Sequence, residues 1–184
     1  MRWTFGVLAC MAWPGLSATC GQIESGPKAG SKPGPFPVFM VTGDQSGKAV
    51  EVLTGRQDLP TLVLVLPREH WSRPVARFVK ILDRELENGV EGAGGATAVA
   101  VWLSDDVADT KDYLPRAQQS LVLTKTALSV FEGSKFGPPS WSLNDAAHVT
   151  AVVVRGGRVV KSIAFESVDE ADVKEVIKTL RAGG

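Results

Sequence analysis

Cysteine is nearly absent from the chain, and its distribution limits the chemistry that the chain can perform. The 184 residues include only Cys10 and Cys20, both within the first twenty positions. Residues 21–184 therefore contain no thiol. Because cycling between a dithiol and an internal disulfide needs two thiols, the sequence excludes dithiol oxidoreductase activity for a domain that lies beyond residue 20.

An excess of charge of either sign is also missing. The chain has 20 Lys+Arg and 20 Asp+Glu, which gives a formal net charge of zero. Surfaces that bind nucleic acid or anionic membranes rely on an excess of basic residues, so this balance argues against both. Beyond the N-terminus no apolar run reaches the length of a membrane span, and we expect no transmembrane segment there.

The N-terminus has the pattern of an export signal. Arg2 precedes an apolar stretch that ends near Trp13 and is too short to cross a bilayer. Pro14-Gly15 then interrupts any helix, and small residues follow up to Cys20. We predict a signal peptide over residues 1–20, and hence a periplasmic, cell-envelope or extracellular location; the alternative is a buried N-terminal helix.

Cys20 leaves two processing outcomes open. Lipoprotein signals carry Leu three residues before the cysteine and Gly or Ala directly before it, whereas this chain has Ser17 and Thr19 there. That mismatch favours plain secretion. Residues 21–35 are rich in Gly, Pro, Ser and Lys, a composition typical of a flexible tether between a lipid anchor on Cys20 and a domain, and equally of a disordered terminus.

Beyond residue 35 the apolar pattern predicts one domain, residues 36–181, in which strands and helices alternate. The predicted strands cover 36–41, 49–53, 61–66, 97–103, 149–154 and 159–165. Apolar residues at helical spacing predict a helix over 73–87 with Asp83 on its outer face, and Ser167 to Glu170 reads as the capping box of a final helix. Between residues 109 and 131 we expect a short helix interrupted by Pro115 and one or two brief strands, over 121–123 and 127–131.

This order of elements resembles the thioredoxin-like fold. It runs strand, helix, strand, helix, antiparallel hairpin, helix, and an extra β-hairpin precedes it. The resemblance covers about residues 36–180 and implies an α/β three-layer sandwich with a mixed central sheet and flanking helices.

Two local motifs sharpen the resemblance. Trp71-Ser72-Arg73-Pro74-Val75 lies where thioredoxins carry Trp-Cys-Gly-Pro-Cys, and His148-Val149-Thr150 lies where the family has a cis-proline followed by Thr. Gly137 to Trp141 is similar to a segment of secreted bacterial thioredoxin-like proteins. The resemblance thus implies a scaffold without its redox CxxC, in which Ser72 and Val75 take the cysteine positions and Val149 takes the proline position.

The degenerate active-site edge is the candidate binding surface. We assign to it Trp71, Ser72, Arg73, Trp141, His148 and Val149. Trp71 and Trp141 are expected in loops, where exposed aromatic rings favour partner contact, whereas Trp102 is expected in the core. For Ser72 the favoured role is that of a helix N-cap whose hydroxyl accepts a hydrogen bond, and the alternative is an anion contact or nucleophile.

His70 and His148 are both expected near this edge. Two histidines do not complete a metal site, because zinc sites need three or four protein ligands, and partners among Glu69, Asp145, Asp105 and Asp106 are conjectural. We therefore favour two separate surface imidazoles and expect neither a metal nor a cofactor. Asp105-Asp106 follows a strand and is expected to form a turn or a helix cap rather than an acid and base pair.

Three functions remain compatible with these residues. The first is an exported, redox-inactive thioredoxin-like domain that binds an unknown protein or peptide partner at the degenerate edge. The second is an enzyme of the same fold that works without cysteine, such as a glutathione-transferase-like module that uses Ser72 at the helix N-terminus. The third is an envelope component anchored through lipid on Cys20.

Overall fold

The central element of the protein is a seven-stranded mixed sheet. A computed structural model describes residues 23–56 and 59–182, so the predicted signal peptide over 1–20 and Cys20 lie outside the described residues. The strands are β1 (Pro37–Met40), β2 (Ala49–Glu51), β3 (Thr61–Pro67), β4 (Thr97–Leu103), β5 (Thr126–Val130), β6 (Val149–Arg155) and β7 (Arg158–Phe165), and the helices are α1 (Arg73–Glu87), α2 (Val107–Leu121) and α3 (Glu170–Ala182). In the sheet the strands follow the order β2-β1-β5-β4-β3-β6-β7.

Strand β3 lies in the interior of the sheet. It pairs in parallel with β4 and antiparallel with β6, and its apolar run is buried on both faces. Strands β4 and β5 are parallel, while β1 pairs antiparallel with both β2 and β5. This mixed sheet, its helices and its extra N-terminal hairpin confirm the α/β, thioredoxin-like fold class that the sequence predicted.

The two faces of the sheet have different covers. Buried side chains of all three helices pack with Leu62, Leu64 and Leu66 on one face. On the other face, a second buried cluster joins Val63 and Val65 to the rings of Phe36 and Trp141, which come from segments outside the three α-helices. The second face is therefore covered by irregular chain, and this is the face on which the cleft described below opens. In the described part of the chain, no helix is long and apolar enough to cross a membrane.

Asp83 corrects the prediction for α1. The sequence places it on the outer face of the helix, but its side chain is buried, with 2% of its surface exposed. One carboxylate oxygen accepts hydrogen bonds from the backbone N–H groups of Lys125 and Thr126, and the other accepts from the N–H of Thr124. The carboxylate thereby satisfies the backbone that leads into β5, a demand that helical periodicity does not reveal.

Helix α2 is longer and more regular than the sequence predicted. It continues through Pro115, which is exposed, and the segment 121–123 that we expected to be a strand ends the helix instead, with Val122 in the left-handed conformation. A proline inside a helix removes one intrahelical hydrogen bond, and packing of the helix on β5 offsets that cost. The strand expected over 127–131 is confirmed as β5.

The start of α3 also differs from its predicted capping box. Asp169, rather than Ser167, accepts hydrogen bonds from the backbone N–H groups of Ala171 and Asp172. The carboxylate of Asp172 accepts a bond from the N–H of Asp169 in return. The reciprocal bonds of a capping box are thus formed two residues further along the chain than predicted, while Glu170 pairs with Arg77.

The expected tether lies against the sheet over its described part. We call residues 23–35 the N-terminal strap. The N–H of Gly30 donates to the carbonyl of Val159 at 2.7 Å, and the N–H of Val159 donates to the carbonyl of Ser31 at 2.9 Å. Ser25 is buried, and its hydroxyl lies 2.8 Å from that of Thr150. The strap is therefore docked on the domain rather than free of it.

Candidate functional site

The N-terminus of α1 forms one side of the candidate site. Ser72 is the N-cap residue with an extended backbone, and its carbonyl accepts a hydrogen bond from the N–H of Ala76. Its exposed hydroxyl makes no capping bond, which differs from the expected role. Val75, at the second position of the cysteine motif, is 1% exposed and belongs to the core. The two positions thus hold a solvent-facing hydroxyl and a buried aliphatic side chain.

Trp71 links this helix start to the core and to α2. Its ring meets that of Trp102 edge to face at a centroid distance of 5.0 Å, and Trp102 is fully buried as predicted. The indole N–H of Trp71 donates to the hydroxyl of Tyr113 at 2.7 Å, and the Arg68 guanidinium lies over the Tyr113 ring. Because Trp71 is held on two sides, only part of its ring is available to a partner.

His70 and His148 are in contact, so the interpretation as two separate imidazoles was wrong. Their rings stack with centroids 4.2 Å apart and planes 24° apart. His70 Nε2 lies 3.0 Å from the backbone carbonyl of Asp145, and the backbone N–H of His148 donates to the backbone carbonyl of Phe165. The pair therefore joins the loop after β3 to the loop before β6. Among the described residues no group of three or more metal-ligating side chains occurs.

The histidine pair predicts a loss of stability in mild acid. Burial, and secondly the charge of His70, lowers the pKa of His148 below its ordinary value of 6.5, while Glu166 acts in the opposite direction. The unfolded chain thus binds this proton more readily than the folded chain. The contribution of the neutral His148 ring to the free energy of unfolding is therefore fully present above about pH 6.5. It is lost as the pH falls from there through the pKa of His148 in the folded protein.

Urea denaturation at about pH 7.5 and about pH 5.5 measures this loss. The variant His148→Gln keeps a polar side chain but cannot titrate, so its free energy of unfolding should change less between the two pH values. An equal change in both proteins would show that His148 does not contribute.

Two of the predicted edge residues are not available at the surface. Trp141 is fully buried between Phe36 and the strap, and its indole N–H donates to the carbonyl of Gly34 at 2.9 Å. Val149 is also fully buried, in the core between the sheet and the helices. Trp141 precedes a left-handed turn that folds it inward, which the loop sequence alone does not indicate. The exposed edge therefore consists of Ser72 and Arg73, with Trp71 and His148 partly exposed.

The paired acids after β4 have structural roles. Asp106 is the N-cap of α2, and its carboxylate accepts a hydrogen bond from the N–H of Asp109, as expected for a cap. Asp105 forms an ion pair with Lys135 at 2.9 Å, and this carboxylate raises the pKa of Lys135. Neither acid is therefore placed as one of a pair of catalytic carboxylates.

Sequence reasoning missed a cleft beside this edge. It opens on the face of the sheet opposite the α-helices, and its floor includes Val65 near the end of β3 and Leu103 at the end of β4. Gly137 adopts a positive φ, and a side chain there would collide with Leu143, so the glycine allows the loop to close over the floor. The sequence feature that could have indicated this cleft is Phe136, an aromatic residue directly before Gly137.

The chain was compared with known proteins. No family model matches it, and no curated protein matches its sequence. Among solved structures, a protein from Bacteroides thetaiotaomicron provisionally assigned as a protein disulfide isomerase is 15% identical with a TM-score of 0.60, over 88% of this chain and 96% of its own. A protein from Chlorobium tepidum provisionally assigned as the thiol:disulfide interchange protein DsbE is 16% identical with a TM-score of 0.62, over 85% and 97%.

A secreted thiol-disulfide isomerase from Corynebacterium glutamicum is a third similar structure. It is 13% identical with a TM-score of 0.53, over 82% of this chain and 85% of its own. At such low identity these likenesses establish the architecture alone. Together with the strand order and the helix start after β3, they show that the chain has a thioredoxin-like fold.

Proposed function

We propose that the protein is an exported thioredoxin-like domain that binds a protein or peptide partner and has no thiol redox activity. The observation that carries this proposal is the replacement of both cysteine positions, by the exposed Ser72 and the buried Val75. Neither side chain forms a reversible disulfide, which excludes thiol exchange at these positions and favours binding over the cysteine-independent enzyme as the function.

The exposed part of the edge supports binding. Arg73 is exposed at the start of α1, beside the hydroxyl of Ser72 that makes no cap bond, and His148 stacks on His70, two residues before Ser72. Arginine and tryptophan are both enriched in protein contact surfaces. We propose Trp71, Ser72, Arg73 and His148 as the contact residues of this edge.

Export and anchoring belong to the same proposal. The signal peptide predicted over residues 1–20 and the secreted C. glutamicum neighbour favour a location outside the cytoplasm. Mass spectrometry of the processed N-terminus distinguishes the two outcomes at Cys20, since a lipid-anchored envelope component would carry a diacylglyceryl group there. We propose the unmodified, secreted form because Ser17 and Thr19 do not match a lipoprotein signal.

The redox part of the proposal is tested by an insulin reduction assay on the processed protein, with thioredoxin as the positive control. The expected rate equals that of the reductant alone. A rate comparable to that of thioredoxin would overturn the claim of redox inactivity.

The binding part is tested by cross-linking the protein in an envelope extract and comparing variants. Arg73→Glu reverses a charge at the proposed edge, and Arg116→Glu makes the same change on the exposed surface of α2. We expect Arg73→Glu to lose the cross-linked partner and Arg116→Glu to retain it. Retention by both variants would exclude the edge as the contact surface.

A further inference from the structure

The cleft beside the edge has the shape of a binding site. Its volume is about 570 Å³, within the range of pockets that hold a few amino-acid side chains. Val65, Leu103 and Ala147 provide an apolar floor, and Phe136 stands on the rim with 57% of its surface exposed. A large aromatic side chain that remains exposed next to an apolar floor is typical of a surface that a partner covers.

The charges around the cleft favour a cationic occupant. Glu24, Glu69 and Asp145 contribute three exposed carboxylates, and among the described residues none of these forms an ion pair. Among the described lining residues Lys135 is the one basic residue. Asp105 forms an ion pair with it, the charge of Glu69 acts on it from a longer distance, and its ammonium lies 5.5 Å from the centre of the Phe136 ring. An incoming lysine or arginine therefore meets a net negative rim without displacing an existing ion pair of these three acids.

The cleft adjoins the degenerate edge but differs from it in charge. His70 connects the two, because its ring contacts the carbonyl of Asp145 on the cleft side and the ring of His148 on the edge side. The edge itself presents the exposed Arg73, which forms no ion pair among the described residues. A cationic segment is thus favoured in the cleft and disfavoured at the start of α1.

We propose that this cleft binds an extended segment of a partner protein in which a lysine or arginine adjoins an apolar side chain. The apolar side chain contacts the floor and Phe136, and the cation lies among the carboxylates of Glu24, Glu69 and Asp145. This inference rests on the proposed binding function and names the chemistry of the partner, but it concerns a surface separate from that of Arg73.

The test uses two matched peptides and the processed, isotope-labelled protein. The probes are acetyl-Gly-Leu-Arg-Leu-Gly-amide and acetyl-Gly-Leu-Glu-Leu-Gly-amide, titrated while amide chemical shifts are recorded. We expect the arginine peptide to give saturable shifts at Phe136, Leu143 and Asn144, weakened by added salt. The glutamate peptide is expected to give none.

Matched variants distinguish the effect of the cleft carboxylates on peptide binding from the effect of carboxylates elsewhere on the surface. Glu69→Gln with Asp145→Asn is expected to raise the dissociation constant of the arginine peptide about fivefold, since each exposed contact contributes modestly. Glu87→Gln with Asp112→Asn removes two exposed acids from the helices and is expected to leave it unchanged. Phe136→Ala changes an exposed position and is expected to weaken binding of the arginine peptide without changing the charge of the cleft.

Four results would overturn the proposal: no saturable shift, equal binding of both peptides, shifts centred on Arg73, or equal affinity in all variants. Loss of the cross-linked partner in Arg73→Glu is a separate readout. Failure of the cleft therefore leaves the proposed function standing, and failure at the edge does not remove peptide binding in the cleft.

Discussion

Replacing Asp83 by alanine is expected to lower the free energy of unfolding by about 2–4 kcal/mol. The substitution leaves the backbone N–H groups of Thr124, Lys125 and Thr126 without their acceptor. The N–H of Thr126 is buried, so water replaces the lost oxygen poorly there. Urea denaturation monitored by tryptophan fluorescence measures the change.

Two controls make the Asp83 prediction specific. Asp83→Asn keeps the shape of the side chain and one oxygen acceptor, so its loss should be smaller than that of Asp83→Ala. Glu87→Gln, one turn later on the exposed side of α1, is expected to change stability by less than about 0.5 kcal/mol. If Asp83→Ala costs no more than Glu87→Gln, the carboxylate does not stabilise the start of β5.

Deleting residues 23–31 is expected to lower the free energy of unfolding by about 2–4 kcal/mol. The deletion removes the bonds at Gly30 and Ser31, the buried Ser25, and the carbonyl of Pro27, which accepts a bond from the Ser162 hydroxyl. Each bond contributes a net gain near 1 kcal/mol, and the ordering of the strap offsets part of the sum.

The deletion also decides where the folded domain begins. If the domain starts at residue 36, as the sequence predicts, the shortened protein should be as stable as the complete one. Lys28→Ala with Lys32→Ala is the control, because it changes two exposed side chains of the strap and leaves its backbone in place. The single substitution Gly26→Val tests the same docking of the strap and is expected to cost less stability than the deletion. Gly26 has a φ of +92°, and a β-carbon there would lie 2.9 Å from the Ser162 hydroxyl.

The sequence predicts those parts of the fold that depend on local pattern. The continuous apolar runs of β3 and β4 are readable because strands buried on both faces have no polar alternation. Helix α1 is readable because its buried residues recur at helical spacing. In α2, Pro115 masks the pattern, and the contacts that keep the helix intact come from distant residues.

The contacts of polar residues were less predictable, because their partners lie far along the chain. Nothing local to Asp83 indicates that the start of β5, about forty residues later, needs its oxygens. The strap has the composition of a flexible linker, yet backbone hydrogen bonds hold it, and these do not depend on side-chain type. The stacking of His70 on His148 likewise follows from two loops meeting at one edge of the sheet.

The sequence indicated where the candidate edge lies but not which of its residues are exposed. Ser72 and Arg73 lie at the start of α1 as the cysteine motif implied, and they are exposed. Trp141 follows prolines that direct the chain back under the strap, so a ring expected to meet a partner completes the core instead. Phe136, which sequence analysis passed over, is the exposed aromatic residue of this region.

The pairing of the strap with Val159 also bears on self-association. Strand β7 is the last strand of the sheet, and a bare edge strand exposes backbone groups on which a second molecule can add a strand. Gly30 and Ser31 occupy both backbone groups of Val159, and the charged Lys161 follows on the same strand. The strap therefore covers the Val159 end of this edge strand, which leaves less of its backbone open to pairing with a second molecule.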